Sequence, residues 1–301
     1  MCGIAGLHLR DDELRPRLGQ LLGGMLCQAA ERGTDAAGIG IYGDPSLNPA
    51  GRSTVCVVDG PATTDAAVAA AAAVTALLGR PVDQRVAGQT ALFTAAAGSA
   101  DLEAAVRAAL PEAVLTSRGT ALSVLKGTGH PDALASTFSL AEATGYQGVA
   151  HTRMATESAV TSTGSHPYSV GPDQCMVHNG SFANHATIRR ELMADGITFD
   201  SENDTEVGAR FVAAQLAAGA DVEKALRLLC ERFDGFYTLL VATENSFAVV
   251  RDAIACKPAV IAETDRWVAM ASEYRYLTGL PGIESARIFE PEPEVVYAWE
   301  R

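Results

Sequence analysis

The sequence has no excess of basic residues, and this absence excludes a first group of functions. Its 23 lysines and arginines are outnumbered by 36 acidic residues, which gives a formal net charge of −13 at pH 7. Proteins that bind nucleic acids or anionic membranes present basic patches or stripes to those partners. We therefore expect neither a nucleic acid nor a membrane among the partners of this chain.

Long hydrophobic runs and paired cysteines are also missing. No apolar stretch approaches the roughly 18 residues that indicate a transmembrane helix, and the N-terminus lacks the pattern of a signal peptide. The cysteines never occur in a CxxC spacing, which argues against a zinc site or a disulfide framework. These features predict a cytoplasmic protein that binds no metal and whose thiols are reduced. Five cysteines are predicted to be packing residues, namely Cys27, Cys56, Cys175, Cys230 and Cys256.

Aromatic residues are scarce at 6%, but the 48% of hydrophobic residues are enough for an ordinary globular core. Strand patterns cluster at both ends of the chain and helical patterns lie between them. This order predicts an α+β fold in which sheets pack together and are covered by helices. Residues 61–145 differ, because alanine-rich helical stretches at about 62–78 and 101–109 alternate with Gly and Pro breaks. We expect an inserted helical segment there, and whether its strand-like piece Thr90–Ala95 joins a sheet stays open.

Cys2 directly follows the initiator methionine, and this position predicts a nucleophile. Removal of Met1 would leave a free α-amino group, which titrates near ~7.7–8.0 in peptides and is partly unprotonated at neutral pH. A thiol beside its own backbone amine is a nucleophile paired with a base. The alternative is that Cys2 is a small apolar residue in the first strand.

Five segments, in this order, resemble the class II glutamine amidotransferases, whose glutaminase domain is an N-terminal nucleophile hydrolase. They are CGIAG at 2–6, RGTDAAGI at 32–39, HTRMAT at 151–156, HNG at 178–180 and SENDTE at 201–206. The resemblance implies a four-layer αββα sandwich of two antiparallel sheets. It also implies that residues 1–301 form a single amidotransferase domain, with the atypical insertion at about 61–145.

The same resemblance assigns roles that suit the chemistry of each side chain. The Asn179 amide and the Gly180 N–H are expected to stabilise an oxyanion formed when Cys2 attacks an amide. Arginine has a planar fork that binds a carboxylate, and an ionised aspartate accepts hydrogen bonds from an ammonium. The resemblance therefore implies three residues that bind the amino-acid end of glutamine, namely Arg153, Thr156 and Asp204.

Each of these residues has a simpler interpretation when it is taken alone. Asn179 and Gly180 form a common turn dipeptide, Arg153 suits a surface ion pair, and Asp204 suits a helix cap. The chain also departs from the family pattern with Met154 and Glu157, both expected in the pocket wall. These two residues leave open an amide substrate other than glutamine.

The identity of the ammonia acceptor is a separate question. The 301 residues contain no recognisable synthase domain, and ammonia released into water is mostly protonated. The resemblance therefore implies a separate glutamate-synthase-like partner, with the small subunit of N-methylglutamate synthase as the nearest example. Such partners carry flavin and iron–sulfur clusters, whereas this chain is expected to hold no cofactor. The alternatives are a stand-alone amidohydrolase with an N-terminal nucleophile and a non-catalytic regulatory subunit that keeps the fold.

Overall fold

The computed structural model describes residues 2–154 and 160–301. Thr156 and Glu157 lie outside these described residues. The strands are β1 (Gly3–Leu9), β2 (Ala36–Tyr42), β3 (Ser53–Val58), β4 (Val82–Ala87), β5 (Thr90–Ala95), β6 (Val114–Gly119), β7 (Leu122–Thr128), β8 (Gln147–Arg153), β9 (Gln174–Phe182), β10 (Gly235–Thr243), β11 (Ser246–Arg251), β12 (Val260–Glu263), β13 (Trp267–Ala271), β14 (Arg287–Phe289) and β15 (Tyr297–Glu300). The helices are α1 (Leu18–Ala29), α2 (Thr64–Leu78), α3 (Ser99–Ala109), α4 (Pro131–Thr137), α5 (His185–Ala194), α6 (Asp204–Ala217) and α7 (Val222–Arg232).

Two antiparallel sheets form the centre of the molecule. The larger sheet has seven strands in the order β14-β12-β13-β1-β8-β2-β7, and the smaller has four in the order β15-β11-β10-β9. One core lies between the larger sheet and α1, a second between the two sheets, and a third between the smaller sheet and α5 to α7. The layers are therefore helix, sheet, sheet, helix, and the predicted αββα sandwich is confirmed.

Strand β1 shows how the sequence builds these layers. Successive side chains of a strand point to opposite faces. Accordingly, Ile4 packs in the core between the sheets, whereas Leu7 and Leu9 pack in the core beneath α1. Gly6 lies between them, and a Cβ there would be 2.4 Å from Leu240 Cδ2. Glycine at this position lets the smaller sheet approach β1 closely.

The inserted segment contains strands as well as helices. Strands β4, β5, β3 and β6 form a third, four-stranded antiparallel sheet, which packs against α2 and α3 around a core of its own. The purely helical expectation was therefore incomplete, and Thr90–Ala95 does join a sheet. The alanine-rich helix α2 begins at a Thr63 cap, whose hydroxyl accepts from Ala66 N, and ends at Gly79 with φ +68°. Strand β7, which also lies in the 61–145 segment, pairs with β2 in the larger sheet.

The structure corrects two local expectations from the sequence. Asn179 and Gly180, which form a turn dipeptide when taken alone, lie inside β9, because β9 pairs with β10 through both residues and continues to Phe182. Of the five cysteines predicted to be packing residues, Cys27 and Cys256 are exposed.

Among the residues that the structure describes, no helix has both the length and the apolar character needed to span a membrane.

Candidate functional site

Cys2 lies at the start of β1, a central strand of the larger sheet. The residue is half-buried, and the two residues after it are held by side chains from both neighbouring strands. Gly3 N donates to Thr152 Oγ1 of β8 at 3.1 Å, and Ile4 N donates to Ser272 Oγ, which follows β13, at 2.9 Å. The backbone that carries Cys2 is therefore fixed from two sides.

The carbonyl oxygen of Cys2 accepts two hydrogen bonds from side chains. Arg32 Nε and Asn179 Nδ2 each donate to it at 3.0 Å. The Arg32 guanidinium is itself held by Glu273, whose Oε1 lies 2.6 Å from Arg32 NH1, and this pairing lowers the pKa of the Glu273 carboxyl. Arg32 belongs to the RGTDAAGI segment at 32–39, but the sequence indicated no role for Arg32 or for Glu273. The structure shows that they anchor the Cys2 backbone.

Asn179 is held in one orientation by His151. The His151 ring nitrogen Nε2 lies 3.1 Å from Asn179 Oδ1, and both residues are buried. Burial lowers the pKa of His151 to about 3, so the ring is neutral. Because Asn179 Oδ1 can only accept, the tautomer that fits this contact carries its proton on Nε2. Asn179 Nδ2 therefore faces Cys2 and also lies 3.4 Å from Ser272 Oγ. His151 thus positions Asn179, a function that the sequence did not reveal.

Gly180 has a structural reason to be glycine. Its φ is +137°, and a Cβ there would lie 1.9 Å from the Phe236 carbonyl oxygen and 2.7 Å from Tyr237 Cα. Both atoms belong to β10. The cross-strand neighbour therefore requires glycine at this position.

A polar cleft of about 930 Å³ lies next to Gly180. Arg153, Asp204 and Gly180 all contribute to its lining, together with Asp59 and Asp200. Arg153 is only 9% exposed, and its guanidinium packs so closely on Gly164 that a Cβ there would be 2.2 Å from Arg153 NH1. One cleft therefore holds a buried cation and several carboxylates, a combination that suits an amino acid with both of its charged groups.

Asp204 is the first residue of α6, but it is not the cap. Asn203 Oδ1 caps the helix by accepting from Thr205 N at 2.9 Å. Asp204 Oδ2 accepts from Phe182 N at 2.9 Å, whereas among the described residues Oδ1 has only a 3.5 Å contact with Thr205 Oγ1. The carboxylate is thus fixed by one oxygen and presents the other to the cleft lining.

Buried histidines support the turn that carries Asp204. Thr205 Oγ1 lies 2.9 Å from both His166 Nε2 and His178 Nδ1. Burial lowers the pKa of His178 to about 4 and that of His166 well below its usual range, so both rings are neutral. These histidines hold polar groups in place as neutral partners.

Glu206 organises the loop before α6. It is 2% exposed and accepts from Asp200 N at 2.9 Å and from Ser201 N at 2.7 Å. Arg210 Nε donates to the same carboxylate at 3.1 Å. A buried carboxylate with these partners fixes the loop that leads into Asp204.

The structure thus brings most of the predicted residues to one region. Cys2 and Asn179 are in direct contact, and Gly180 connects Asn179 to the cleft that Arg153 and Asp204 line. Thr156 lies outside the described residues. Chemically, the region combines Cys2, whose carbonyl oxygen accepts from the Asn179 amide, with an adjacent cleft that is lined by charged groups of both signs.

Comparison with known proteins shows the family. A family model described as a glutamine amidotransferase domain matches residues 151–279. The glutamine amidotransferase-like protein GlxB of Rhizobium meliloti is 46% identical over 301 residues, covering 100% of this chain and 98% of that protein. A putative glutamine amidotransferase of Methanothermobacter thermautotrophicus is 28% identical over 91% of this chain and 92% of its own length.

A solved structure shows the same fold in a longer protein. Glutamine phosphoribosylpyrophosphate amidotransferase from B. subtilis superimposes with a TM-score of 0.59 at 16% identity, over 99% of this chain. This chain spans 49% of that protein, so the match concerns the fold of one part of it. The identity with the Rhizobium relative over the whole chain shows that the chain belongs to the glutamine amidotransferase family, and its fold is that of the class II branch with an N-terminal nucleophile.

Proposed function

We propose that this protein is a glutaminase component that hydrolyses glutamine through a Cys2 thioester and passes the ammonia to a separate partner. The observation that carries the proposal is the position of Asn179. Its amide nitrogen lies 3.0 Å from the carbonyl oxygen of Cys2, and His151 sets its orientation. An oriented amide donor beside a candidate nucleophile is the arrangement that stabilises a tetrahedral oxyanion.

The proposed reaction begins after removal of Met1. The α-amine of Cys2 takes the thiol proton, and Sγ forms a bond to the carbon of the glutamine side-chain amide. The oxyanion that results accepts from Asn179 Nδ2 and Gly180 N–H. The C–N bond then breaks, and the leaving nitrogen takes the proton from the α-amine and departs as ammonia. Water, deprotonated by the same amine, attacks the thioester carbon, which releases glutamate and restores the thiol.

The charged residues of the polar cleft hold the substrate in this proposal. Arg153 binds the α-carboxylate of glutamine through its planar fork, and Asp204 binds the α-ammonium. Thr156 is proposed as a further contact to the same end of the substrate. Fixing this end places the amide over Cys2, and such positioning contributes much of the rate enhancement in enzymes.

The partner is proposed to be a glutamate-synthase-like enzyme, with N-methylglutamate synthase as the specific candidate. Ammonia that reaches neutral water is protonated and loses the lone pair that makes it a nucleophile, so a coupled acceptor is required. The Rhizobium relative is matched over 98% of its length, so that protein has almost no length for a synthase domain of its own. Flavin and iron–sulfur groups are assigned to the partner, not to this chain.

Two measurements test the proposal. Intact mass of the purified protein should show loss of Met1, and the protein should form glutamate from glutamine, whereas Cys2→Ala should form none. Cys256→Ala is the matched control, because Cys256 is exposed, and full activity is expected from it. Retained Met1, or activity in Cys2→Ala, would exclude the thioester mechanism.

The partner is tested by isolating the native protein from its source. We expect it to co-elute with a larger protein that shows flavin absorbance and contains iron, and we expect addition of that protein to stimulate glutamine hydrolysis. If the chain elutes alone and its turnover is the same with and without glutamate-synthase-like subunits, the stand-alone amidohydrolase replaces this proposal.

A further inference from the structure

We propose that the inserted unit, defined as 53–119, positions two loops of the polar cleft through Asp59 and Arg107 and so controls the affinity for glutamine. This inference rests on the proposed function, because it concerns the substrate that the cleft is proposed to bind. The two loops are 160–165 and 200–203. Arg107 is a positioning residue, since it acts on the substrate only through a loop, and Asp59 holds the first loop while also contributing to the cleft lining.

Arg107 connects α3 of the inserted unit to the second loop. Its NH1 and NH2 lie 3.1 Å from the two carboxylate oxygens of Asp200, so the contact is bidentate. Arg107 is also anchored within its own unit, because its Nε donates to Glu103 at 2.9 Å and Arg118 contacts the same carboxylate. The inserted unit therefore holds the arginine in place, and the arginine holds Asp200.

An isolated pair at this exposure would contribute little. The side chains of Arg107 and Asp200 are 39% and 28% exposed, and exposed ion pairs are weak unless they are bidentate or belong to a network. This pair meets both conditions. Asp200 Oδ2 also accepts from Arg210 NH2 at 2.9 Å, and Arg210 pairs with the buried Glu206. The network thus runs from the insertion to the carboxylate that fixes the backbone of the loop.

The second loop leads directly to the proposed ammonium partner. Glu206 accepts from the backbone N–H groups of Asp200 and Ser201, and Asn203 caps α6, whose first residue is Asp204. Displacement of Asp200 therefore moves the turn that carries Asp204. The contact with Arg107 acts four residues before Asp204 in the chain.

Asp59 makes the corresponding contact with the first loop. It follows β3 with φ +54°, an uncommon backbone conformation for aspartate, and its Oδ1 accepts from Ser162 Oγ at 2.8 Å. The same loop contains Gly164, on which the guanidinium of Arg153 packs. The inserted unit therefore contacts both the loop that packs against Arg153 and the loop that leads to Asp204. Since these two residues bind the amino-acid end of glutamine in the proposal, loss of the contacts should weaken binding more than the chemical step.

The first experiment compares two arginines in similar surroundings. Arg107 and Arg227 each lie on a helix, and each pairs with a glutamate four residues earlier. Of these two arginines, Arg107 alone contacts Asp200, which lines the cleft. We expect Arg107→Ala to raise KM for glutamine by about 3-fold to 10-fold and to change kcat less than about twofold. Arg107→Lys, which keeps the charge but loses the fork, should fall between Arg107→Ala and the wild type. Arg227→Ala should leave both constants unchanged.

A double-mutant cycle tests whether Arg107 acts through Asp200. The Arg107→Ala/Asp200→Ala variant should have the KM of Asp200→Ala alone, because both substitutions remove the same contact. Additive increases in KM would mean that Arg107 acts elsewhere and would overturn the inference.

Hydrogen exchange provides a readout that does not depend on activity. The amides of Asp200 and Ser201 should exchange about 3-fold faster or more in Arg107→Ala than in the wild type and in Arg227→Ala. If the wild type fails to hydrolyse glutamine, the proposed function fails and exchange alone decides this inference. Unchanged exchange at these amides overturns the inference in either case, and so does an unchanged KM in an active enzyme.

Discussion

Acidification from pH 7 to pH 5 is expected to destabilise the protein strongly, because three buried histidines remain neutral while the chain is folded. His151, His166 and His178 are 1%, 8% and 4% exposed. Burial lowers the pKa of His151 to about 3 and that of His178 to about 4, and it lowers that of His166 well below 6.5. The rings also lie close together, with centroids of His151 and His166 4.2 Å apart, so a proton on one opposes a proton on the next.

The sign follows from counting bound protons. At pH 5 an unfolded histidine is almost fully protonated, whereas these three remain neutral in the folded chain, so the unfolded state binds more protons and the free energy of unfolding decreases. The pH lies about 1.5 units below the unfolded pKa, and each unit corresponds to about 1.36 kcal/mol, which gives about 2 kcal/mol per histidine. His151 and His178 together lose on the order of 4 kcal/mol, and His166 acts in the same direction, compared with ~5–15 kcal/mol for the whole stability of a typical protein.

Two other buried groups act in the same direction on acidification, namely Lys126 and His8. Burial lowers the pKa of Lys126 to about 7, so between pH 7 and pH 5 it adds under about 1 kcal/mol. The pKa of His8 is also lowered by burial, and His8 therefore acts in the same direction as the three histidines. The full stabilisation is present above about pH 6.5 and is lost as the pH falls below it.

Urea unfolding followed by circular dichroism at several pH values between 5 and 8 measures the effect. His151→Gln removes one titrating ring but keeps an amide donor near the position of Nε2, so the slope below pH 6 should fall by about one proton, or ~1.4 kcal/mol per pH unit. His130→Gln is the matched control, since His130 is exposed, and it should keep the wild-type slope. A free energy of unfolding that stays constant from pH 7 to pH 5, or the same slope in His151→Gln, would refute the reasoning.

The remaining predictions concern single side chains of the site. A diazoketone analogue of glutamine should label Cys2 alone in peptide mass spectrometry, and labelling at the exposed Cys256 would contradict the proposed nucleophile. Asn179→Ala should lower kcat by ~10²–10³ in steady-state kinetics, and a wild-type kcat would exclude its oxyanion role. Arg153→Ala should mainly raise KM for glutamine, because a carboxylate contact is made in the ground and transition states alike, and an unchanged KM would contradict that contact. Gly180→Ala should lower the melting temperature and destabilise the chain by about 2 kcal/mol or more, because its Cβ would meet the Phe236 carbonyl oxygen; an unchanged melting temperature would refute this.

The sequence predicted those strands and helices whose signals come from residues that are close together in the chain. Strand β1 has residues for two cores in alternation, and Asp221 caps α7 from the position before it, where its Oδ1 accepts from Lys224 N at 2.7 Å. The prediction from the sequence failed at Asn179 and Gly180, because this dipeptide indicates a turn when only neighbouring residues are considered. Their conformation is set by β10, since Gly180 pairs with Tyr237, more than fifty residues later in the chain. A distant partner of this kind overrides local preference.

The inserted unit was difficult to predict for a related reason. Alanine predicts helices reliably, and α2 and α3 are where the pattern placed them. Strand β4 gives a weaker signal, because its Asp83 and Arg85 are exposed while its hydrogen bonds are made to β5. The contacts from Asp59 and Arg107 to the cleft have no signature in the sequence, since each pairs with a residue about a hundred positions away.

The candidate site depends on how closely the two central sheets approach each other. Cys2, His151 and Ser272 belong to the larger sheet or its ends, whereas Asn179 belongs to the smaller one. The hydrogen bonds of the Asn179 side chain to these three residues all cross between the sheets. Apolar packing sets the spacing of the sheets near this point. Because Gly6 has no side chain, Leu240 and Phe247 approach to within a few ångströms of β1. Hydrogen bonds weaken steeply with added distance and misalignment, so a small change in that packing would separate Asn179 from Cys2. The polar geometry of the site is therefore a consequence of the core between the sheets, and residues of that core act on the site without touching it.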